Sequence, residues 1–91
     1  PTLYRNDGAA TNSIVGNGCV IEGTVINSVI GRGVVIKEGS VIKDSVILPG
    51  AFINKDVHIE NAIVDRYAIV THVKEIKGTK ENPAYVKRDR I

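Results

Sequence analysis

The sequence predicts an all-β protein, a single-stranded parallel β-helix of about four coils, on three observations. A tetrad of Asn or Asp, then Ser or Ala, then two of Ile or Val recurs four times, starting at Asn12, Asn27, Asp44 and Asn61. Bulky aliphatics fall into three columns when the chain is cut at those points. A small residue stands two places before most of them. Repeats with a fixed period mark architectures in which each unit buries its apolar face only against its neighbours.

The first column is Val15, Ile30, Ile47, Val64, and the second is Ile21, Ile36, Ile53, Val70. The third reads Ile26, Ile42, Ile59, Ile76. The small companions are Ser13, Ser28, Ser45, Ala62 on the first face, Cys19, Ala51, Ala68 on the second and Thr24, Ser40 on the third; Val34 and Val57 are larger. The physical reading is a hexad made of one short strand and one corner. Three hexads close a triangular coil whose narrow interior takes one large side chain per face with a small one beside it. Stacked coils sit about 4.8 Å apart, so that like residues lie on like.

Irregularities mark particular places. The first coil is two residues short, and the deficit is expected at the Glu22–Gly23 corner. Lys74 falls on a small inward position of the fourth coil, and a lysine does not stay buried there unpaired. The prism is therefore expected to open or end at that point. Residues 1–11 are read as an N-terminal linker or cap, 12–77 as the β-helix and 78–91 as a basic C-terminal tail or cap. The two flanks are the natural covers for the exposed strand edges.

Residues just before the column positions point outward. They read Ile14, Val29, Val46, Ile63 on the first face and Val20, Val35, Phe52, Ile69 on the second. The third begins with Val25 and Val41 and turns polar with His58 and Glu75. An isolated prism is expected to be polar outside, so two aliphatic stripes point to association surfaces.

Composition narrows the function classes. The net charge of +2 is too small to imply nucleic acid, and the four aromatics, Tyr4, Phe52, Tyr67 and Tyr85, build no stacking platform for it. No apolar run reaches membrane-span length. The one cysteine, Cys19, excludes an intramolecular disulfide, fits a reducing compartment and reads as a buried, inert thiol. A cytoplasmic setting is expected. The chain begins at Pro1 and has no Met, which reads as a piece of a longer protein with the missing part on its N-terminal side.

Candidate sites are few. His58 and His72 cannot supply the three convergent ligands of a catalytic zinc, so no metal is expected. Arg32 and Arg66 share a corner column two coils apart, and Lys77, Lys80, Lys87, Arg88 and Arg90 follow. Arg32, Arg66, Lys77, Lys80 and Arg88 form a candidate site for a phosphorylated effector. Lys43, Glu60 and Lys77 alternate in sign along one corner. Gly16–Asn17–Gly18 and Gly31–Arg32–Gly33 are spaced like pieces of a phosphate loop but occupy repeat corners.

The stretch NSIVGNGCVIEGTVINSVIGRGVVIKEGSVIKDSVILPGAFI, with its short first coil and its NSVI–G–R–G–V–V–I run, resembles the C-terminal β-helix of the glucose-1-phosphate adenylyltransferase (ADP-glucose pyrophosphorylase) family. NAIVDRYAIV and the tail KGTKENPAYVKRDRI resemble its GlgD-type subunit most. The resemblance spans the whole chain. It implies a left-handed coil, an exception to the usual crossover hand. It also implies a catalytic nucleotide-binding domain elsewhere, so no catalytic residue and no cofactor are expected here. The implied role is to hold subunits together and to pass on effector signals in making ADP-glucose from ATP and glucose 1-phosphate for glycogen synthesis. Expected partners are that nucleotidyltransferase domain, other subunits and a phosphorylated effector. An alternative is a fragment of a trimeric hexapeptide-repeat acyltransferase with His58 as general base.

Overall fold

The computed structural model describes residues Pro1–Ile91. It contains strands and turns and no helix. In chain order the strands are β1 (Leu3–Tyr4), β2 (Ala9–Thr11), β3 (Ile14–Val15), β4 (Val20–Ile21), β5 (Thr24–Ile26), β6 (Val29–Ile30), β7 (Val35–Ile36) and β8 (Val41–Lys43). They continue with β9 (Val46–Ile47), β10 (Phe52–Ile53), β11 (His58–Glu60), β12 (Ala62–Val64), β13 (Ile69–Val70), β14 (Glu75–Lys77) and β15 (Ala84–Val86). Every third strand joins the same parallel sheet. Sheet A is β1-β4-β7-β10-β13, sheet B is β2-β5-β8-β11-β14 and sheet C is β3-β6-β9-β12-β15. The chain is a three-sided parallel β-solenoid, and the four predicted coils run from β3 to β14.

The columns stack. Ile30 pairs with Ile47, Ile47 with Val64, Ile36 with Ile53 and Ile42 with Ile59. All of these side chains are buried in one core that runs the length of the prism. One assignment is corrected. Val25, not Ile26, pairs with Ile42; Val25 is fully buried and Ile26 lies half outside. The companion small position is likewise Gly23, where an added Cβ would strike the Ser40 carbonyl oxygen at 2.5 Å. The reason is strand parity. The whole deficit lies at Glu22–Gly23, as expected. Removing two residues leaves the in–out alternation intact, so the inward side chain on β5 moves one place earlier than a count through the corner suggests.

The tetrad has a backbone cause. Asn12, Asn27, Asp44 and Asn61 all have φ near +50°, the left-handed region that Asn and Asp tolerate best among residues with a Cβ. They form the corner between sheets B and C. Their side chains also link vertically: Asn12 Nδ2 donates to Asn27 Oδ1 at 2.8 Å and Asn27 Nδ2 to Asp44 Oδ1 at 2.6 Å. The serines that follow are small for a further reason. Each hydroxyl accepts from the backbone N–H one coil above, Ser13 from Ser28 at 3.0 Å, Ser28 from Ser45 at 3.1 Å and Ser45 from Ala62 at 3.1 Å. Each donates to the carbonyl two residues back. Ser40 does the same for Val57 N–H at 3.0 Å. The hydroxyls satisfy buried amides where the chain turns away from the ladder.

The flanks extend the sheets by further strands, so that β1, β2 and β15 become edge strands themselves. β1 and β2 pair with β4 and β5, β15 pairs with β12 and Arg90 bridges to Ile69. The Ile91 carbonyl then accepts from Thr71 and His72 N–H. Lys74 does not open the prism, but sheet B ends there, with β14 its last strand. Ile76 still reaches the core, and the Lys74 ammonium turns out to donate to the Lys55 and Thr71 carbonyls at 2.9 and 3.2 Å. It can do so because β14 is the last strand of sheet B and nothing stacks above it.

Candidate interaction faces

Each sheet shows one side to the core and one to solvent, and the three solvent sides differ. On sheet C the outward residues of successive rungs are Ile14, Val29, Val46, Ile63 and Tyr85, in register. Ile14 is 70% exposed, Val29 44%, Ile63 37% and Tyr85 62%. On sheet A the outward stripe is Leu3, Val20, Val35, Phe52 and Ile69, also in register. Leu3 is exposed and the others are half-buried. Both predicted stripes are therefore continuous, and the flanking strands lengthen each by one residue. Leu3 and Tyr85 were not predicted because β1 and β15 lack the tetrad.

Sheet B is different. Its outward side carries Ala9, Thr24, Val41, His58 and Glu75 in one row and Thr11, Ile26, Lys43, Glu60 and Lys77 in the other. Val25, expected outside, is in the core. His58 Nε2 lies 3.2 Å from Glu60 Oε1. That pair sits on an open polar surface, lines no cavity and faces no nucleophile. His72 is exposed, with Nδ1 2.9 Å from Thr71 Oγ1. Lys43, Glu60 and Lys77 stack in register without reaching ion-pair distance.

A groove of about 410 Å³ runs along sheet C beside the Asn/Asp corner. Val29, Val46 and Ile63 form its floor, Asn27, Asp44 and Asn61 one flank, and Thr79, Lys80 and Pro83 a wall at its upper end. The loop that supplies this wall is the insertion between β14 and β15.

The five predicted effector cations lie along two different edges. Arg32 and Arg66 share the corner between sheets C and A, two rungs apart, with Pro49 between them: Gly50 N–H donates to the Arg32 carbonyl and Tyr67 N–H to that of Pro49. Arg88 joins this edge, its guanidinium carbon 5.1 Å from the Tyr67 ring centroid, a cation–π distance. Lys77 ends β14, and Lys80 lies in the loop at the other edge of sheet C. Tyr67 itself has φ +58°, where the coils below have Gly18, Gly33 and Gly50, and its ring covers Gly50.

Charge at the site is tied down in two places. Tyr85 Oη donates to Asp65 Oδ2 at 2.6 Å. That bond, then the Arg66 N–H, holds the Asp65 carboxyl below the usual carboxylate range, and the same bond raises the Tyr85 phenol. Glu22, buried at the short corner, lies 3.7 Å from Arg5 and 3.6 Å from Lys37. Cys19 is buried and its thiol donates to the Gly31 carbonyl at 3.1 Å. No three acidic, His or Cys side chains converge as metal ligands. No helix is long and apolar enough to cross a membrane.

A family model described as GlmU-like, C-terminal hexapeptide, matches residues 3–84. The chain belongs to that family. The chain is 50% identical over 70 residues to a glucose-1-phosphate adenylyltransferase of Bacillus thuringiensis (strain Al Hakam), covering 77% of this chain and 19% of that protein. It is 39% identical over 80 residues to the enzyme of the same name from Bacillus cytotoxicus, covering 88% of this chain and 21% of that protein. The sequence resemblance to glucose-1-phosphate adenylyltransferases is thus homology. The chain spans about a fifth of the length of the curated relatives it matches.

Proposed function

We propose that this chain is a non-catalytic assembly module of a glucose-1-phosphate adenylyltransferase-type protein, of the GlgD-type subunit, acting in the cytoplasm. Its parent makes, or modulates a partner that makes, ADP-glucose from ATP and glucose 1-phosphate for glycogen synthesis. The solenoid is a rigid prism that presents sheets A and C to a nucleotidyltransferase domain and to other subunits. A phosphorylated effector bound near the arginine edge biases their arrangement.

The observation that carries this reading is the contrast between faces. All three sheets obey the same strand chemistry, yet only sheet B turns polar outside in its upper rungs, at His58, Glu60, Glu75 and Lys77, above Val41 and Ile26. β-propensity alone gives Thr as readily as Val or Ile on an exposed strand face. Five consecutive apolar rungs on each of two faces exceed what an unpartnered surface carries.

The test is association in trans. A glucose-1-phosphate adenylyltransferase cut off before its hexapeptide region is mixed with this chain and run on a sizing column. Co-elution is expected for the natural sequence and not for the Val46→Asp, Phe52→Asp double variant. Identical elution of the two removes the basis of the reading. Acetyl-CoA binding by the chain, measured by calorimetry, would instead favour the acyltransferase alternative.

A further inference from the structure

We propose that Asn17–Gly18 is a site of spontaneous covalent modification, at which the folded chain converts Asn17 to aspartate and isoaspartate. The inference goes beyond the docking reading and stands apart from it.

The chemistry is an intramolecular acyl transfer. The backbone nitrogen of the residue after an asparagine attacks the side-chain amide carbon Cγ. The N–Cγ bond forms, the Cγ–Nδ2 bond breaks, and ammonia leaves with the proton that the backbone N–H gives up. Water then opens the five-membered imide. Opening at Cγ gives aspartate, and opening at the main-chain carbonyl gives isoaspartate. The reaction needs a side-chain amide not held elsewhere, a backbone N–H free of other bonds, and a following residue with no Cβ to crowd the attack.

Of the seven asparagines only Asn17 precedes a glycine. Its side chain is exposed and stands outside the amide ladder that ties Asn12 to Asn27 and Asn27 to Asp44. Gly18 N–H donates to no acceptor, whereas the equivalent N–H groups of the coils above, on Gly33, Gly50 and Tyr67, donate to the carbonyls of Asn17, Arg32 and Pro49. Nothing lies within 4 Å of where a Cβ on Gly18 would stand, so the imide ring has room.

The fold holds the other pairs back. Ser28 N–H donates to Ser13 Oγ at 3.0 Å and Ala62 N–H to Ser45 Oγ at 3.1 Å, so the nitrogens that follow Asn27 and Asn61 are engaged. The Asn12 amide is engaged by Asn27, and Pro83 after Asn82 has no N–H. The instructive contrast is Asp7–Gly8, which has the same glycine and can form the same imide with loss of water. Gly8 N–H is bonded to the Arg5 carbonyl at 2.8 Å. Having to release one such bond slows a reaction by about fivefold.

The product changes the arginine edge. Asn17 begins the column that continues with Arg32, Pro49 and Arg66. A carboxylate there lies one rung, about 4.8 Å along the stack, below Arg32 and competes with any bound anion for its guanidinium. Isoaspartate also lengthens the main chain by a methylene beside the carbonyl that holds Gly33 N–H.

The experiment is peptide mapping of the 91-residue chain after warm incubation at mildly alkaline pH, folded and in urea. Trypsin leaves Asn6–Arg32 as a single peptide, so Asn6, Asp7, Asn12, Asn17 and Asn27 are compared in the same fragment spectra. An isoaspartate-specific carboxyl methyltransferase labels the isoaspartate. In the folded chain Asn17 should convert at least about fivefold faster than each other position on that peptide, and Asp7 should gain isoaspartate in urea only. Asn17→Gln leaves Gly18 and its φ of +73° in place while demanding a six-membered ring, and should stop the reaction. A folded chain in which Asn17 stays intact, whether or not urea converts it, overturns the proposal. So does conversion of Asn12, Asn27 or Asp7 in the folded chain at the Asn17 rate. None of these outcomes bears on docking to the truncated enzyme.

Discussion

Sheets B and C begin from the same local rules and end with opposite outer surfaces. Both place one branched aliphatic per rung in the core, Ile42 and Ile59 on one, Ile47 and Val64 on the other. Outside, sheet B shows Val41 and Ile26 in its lower rungs and Lys43, His58, Glu60 and Lys77 above them, while sheet C shows Ile14, Val29, Val46, Ile63 and Tyr85. The inward residues are fixed by the geometry of the coil, which is the same for every sheet. The outward ones are free of that constraint. On the proposed function, the difference between the sheets reflects partners and not folding.

The comparison separates inward from outward positions sharply, and the largest effects should come from inside. Ile42→Asp places an unpaired charge in a sealed core and should abolish folding, read as loss of the strand signal in circular dichroism. Ile42→Ala should cost about 2–5 kcal/mol in denaturant unfolding. Ser45→Ala sharpens the same boundary at lower amplitude. It strands the buried Ala62 N–H, which Ser45 Oγ satisfies at 3.1 Å, and should cost about 1–3 kcal/mol despite conserving size. Gly50→Ala combines φ +77° with collision against the Tyr67 ring, and should cost about 1–2 kcal/mol by the same unfolding assay.

The smallest effect concerns the top rung. Asp65 is held below its ordinary 3.8 by Tyr85, whose phenol is held above its ordinary 10.0 by the same bond. The sign follows from linkage. The carboxylate's contribution is complete above 3.8 and is lost as pH falls through the lower folded value. The phenol's is complete below 10.0 and is lost as pH rises through the higher one. Amide exchange protection of β15 should therefore stay flat, after correction for intrinsic rates, between about pH 5 and 9. It should fall toward the acid extreme, and Tyr85→Phe should remove that acid dependence.

Much of this was legible in the sequence because the tetrad encodes several demands at once. Asn or Asp turns the corner with positive φ, Ser or Ala fits beside the core, and the following pair splits between outside and inside. The columns through Ile30 and Ile36 follow directly. Where the pattern lost its period, reading failed for definable reasons. Counting across the shortened Glu22–Gly23 corner exchanged Val25 and Ile26, because only the strand's alternation, and not the count, survives a two-residue loss. Size alone did not reveal that Ser13, Ser28 and Ser45 are hydrogen-bond bridges. Tyr67 at a glycine position was invisible, since nothing local announces a left-handed tyrosine. The added rungs at Leu3 and Tyr85 carry no tetrad, and β15 is displaced by the loop between Gly78 and Pro83. The cationic residues looked like one group along the chain, but the fold sets Arg32, Arg66 and Arg88 on one edge of sheet C and Lys77 and Lys80 at the other.

On the proposed function, the outward aliphatics serve association and not strand formation. The measurement that addresses this is a paired one on Val29→Thr, Val46→Thr, Ile63→Thr, a triple variant that keeps β-branching while removing the apolar surface. Thermal unfolding and sedimentation are recorded on the same sample. The melting midpoint should stay within about 5 °C of the natural chain, while binding to the truncated enzyme disappears. Unchanged association, or a collapsed midpoint with no folded protein left to associate, would contradict the claim.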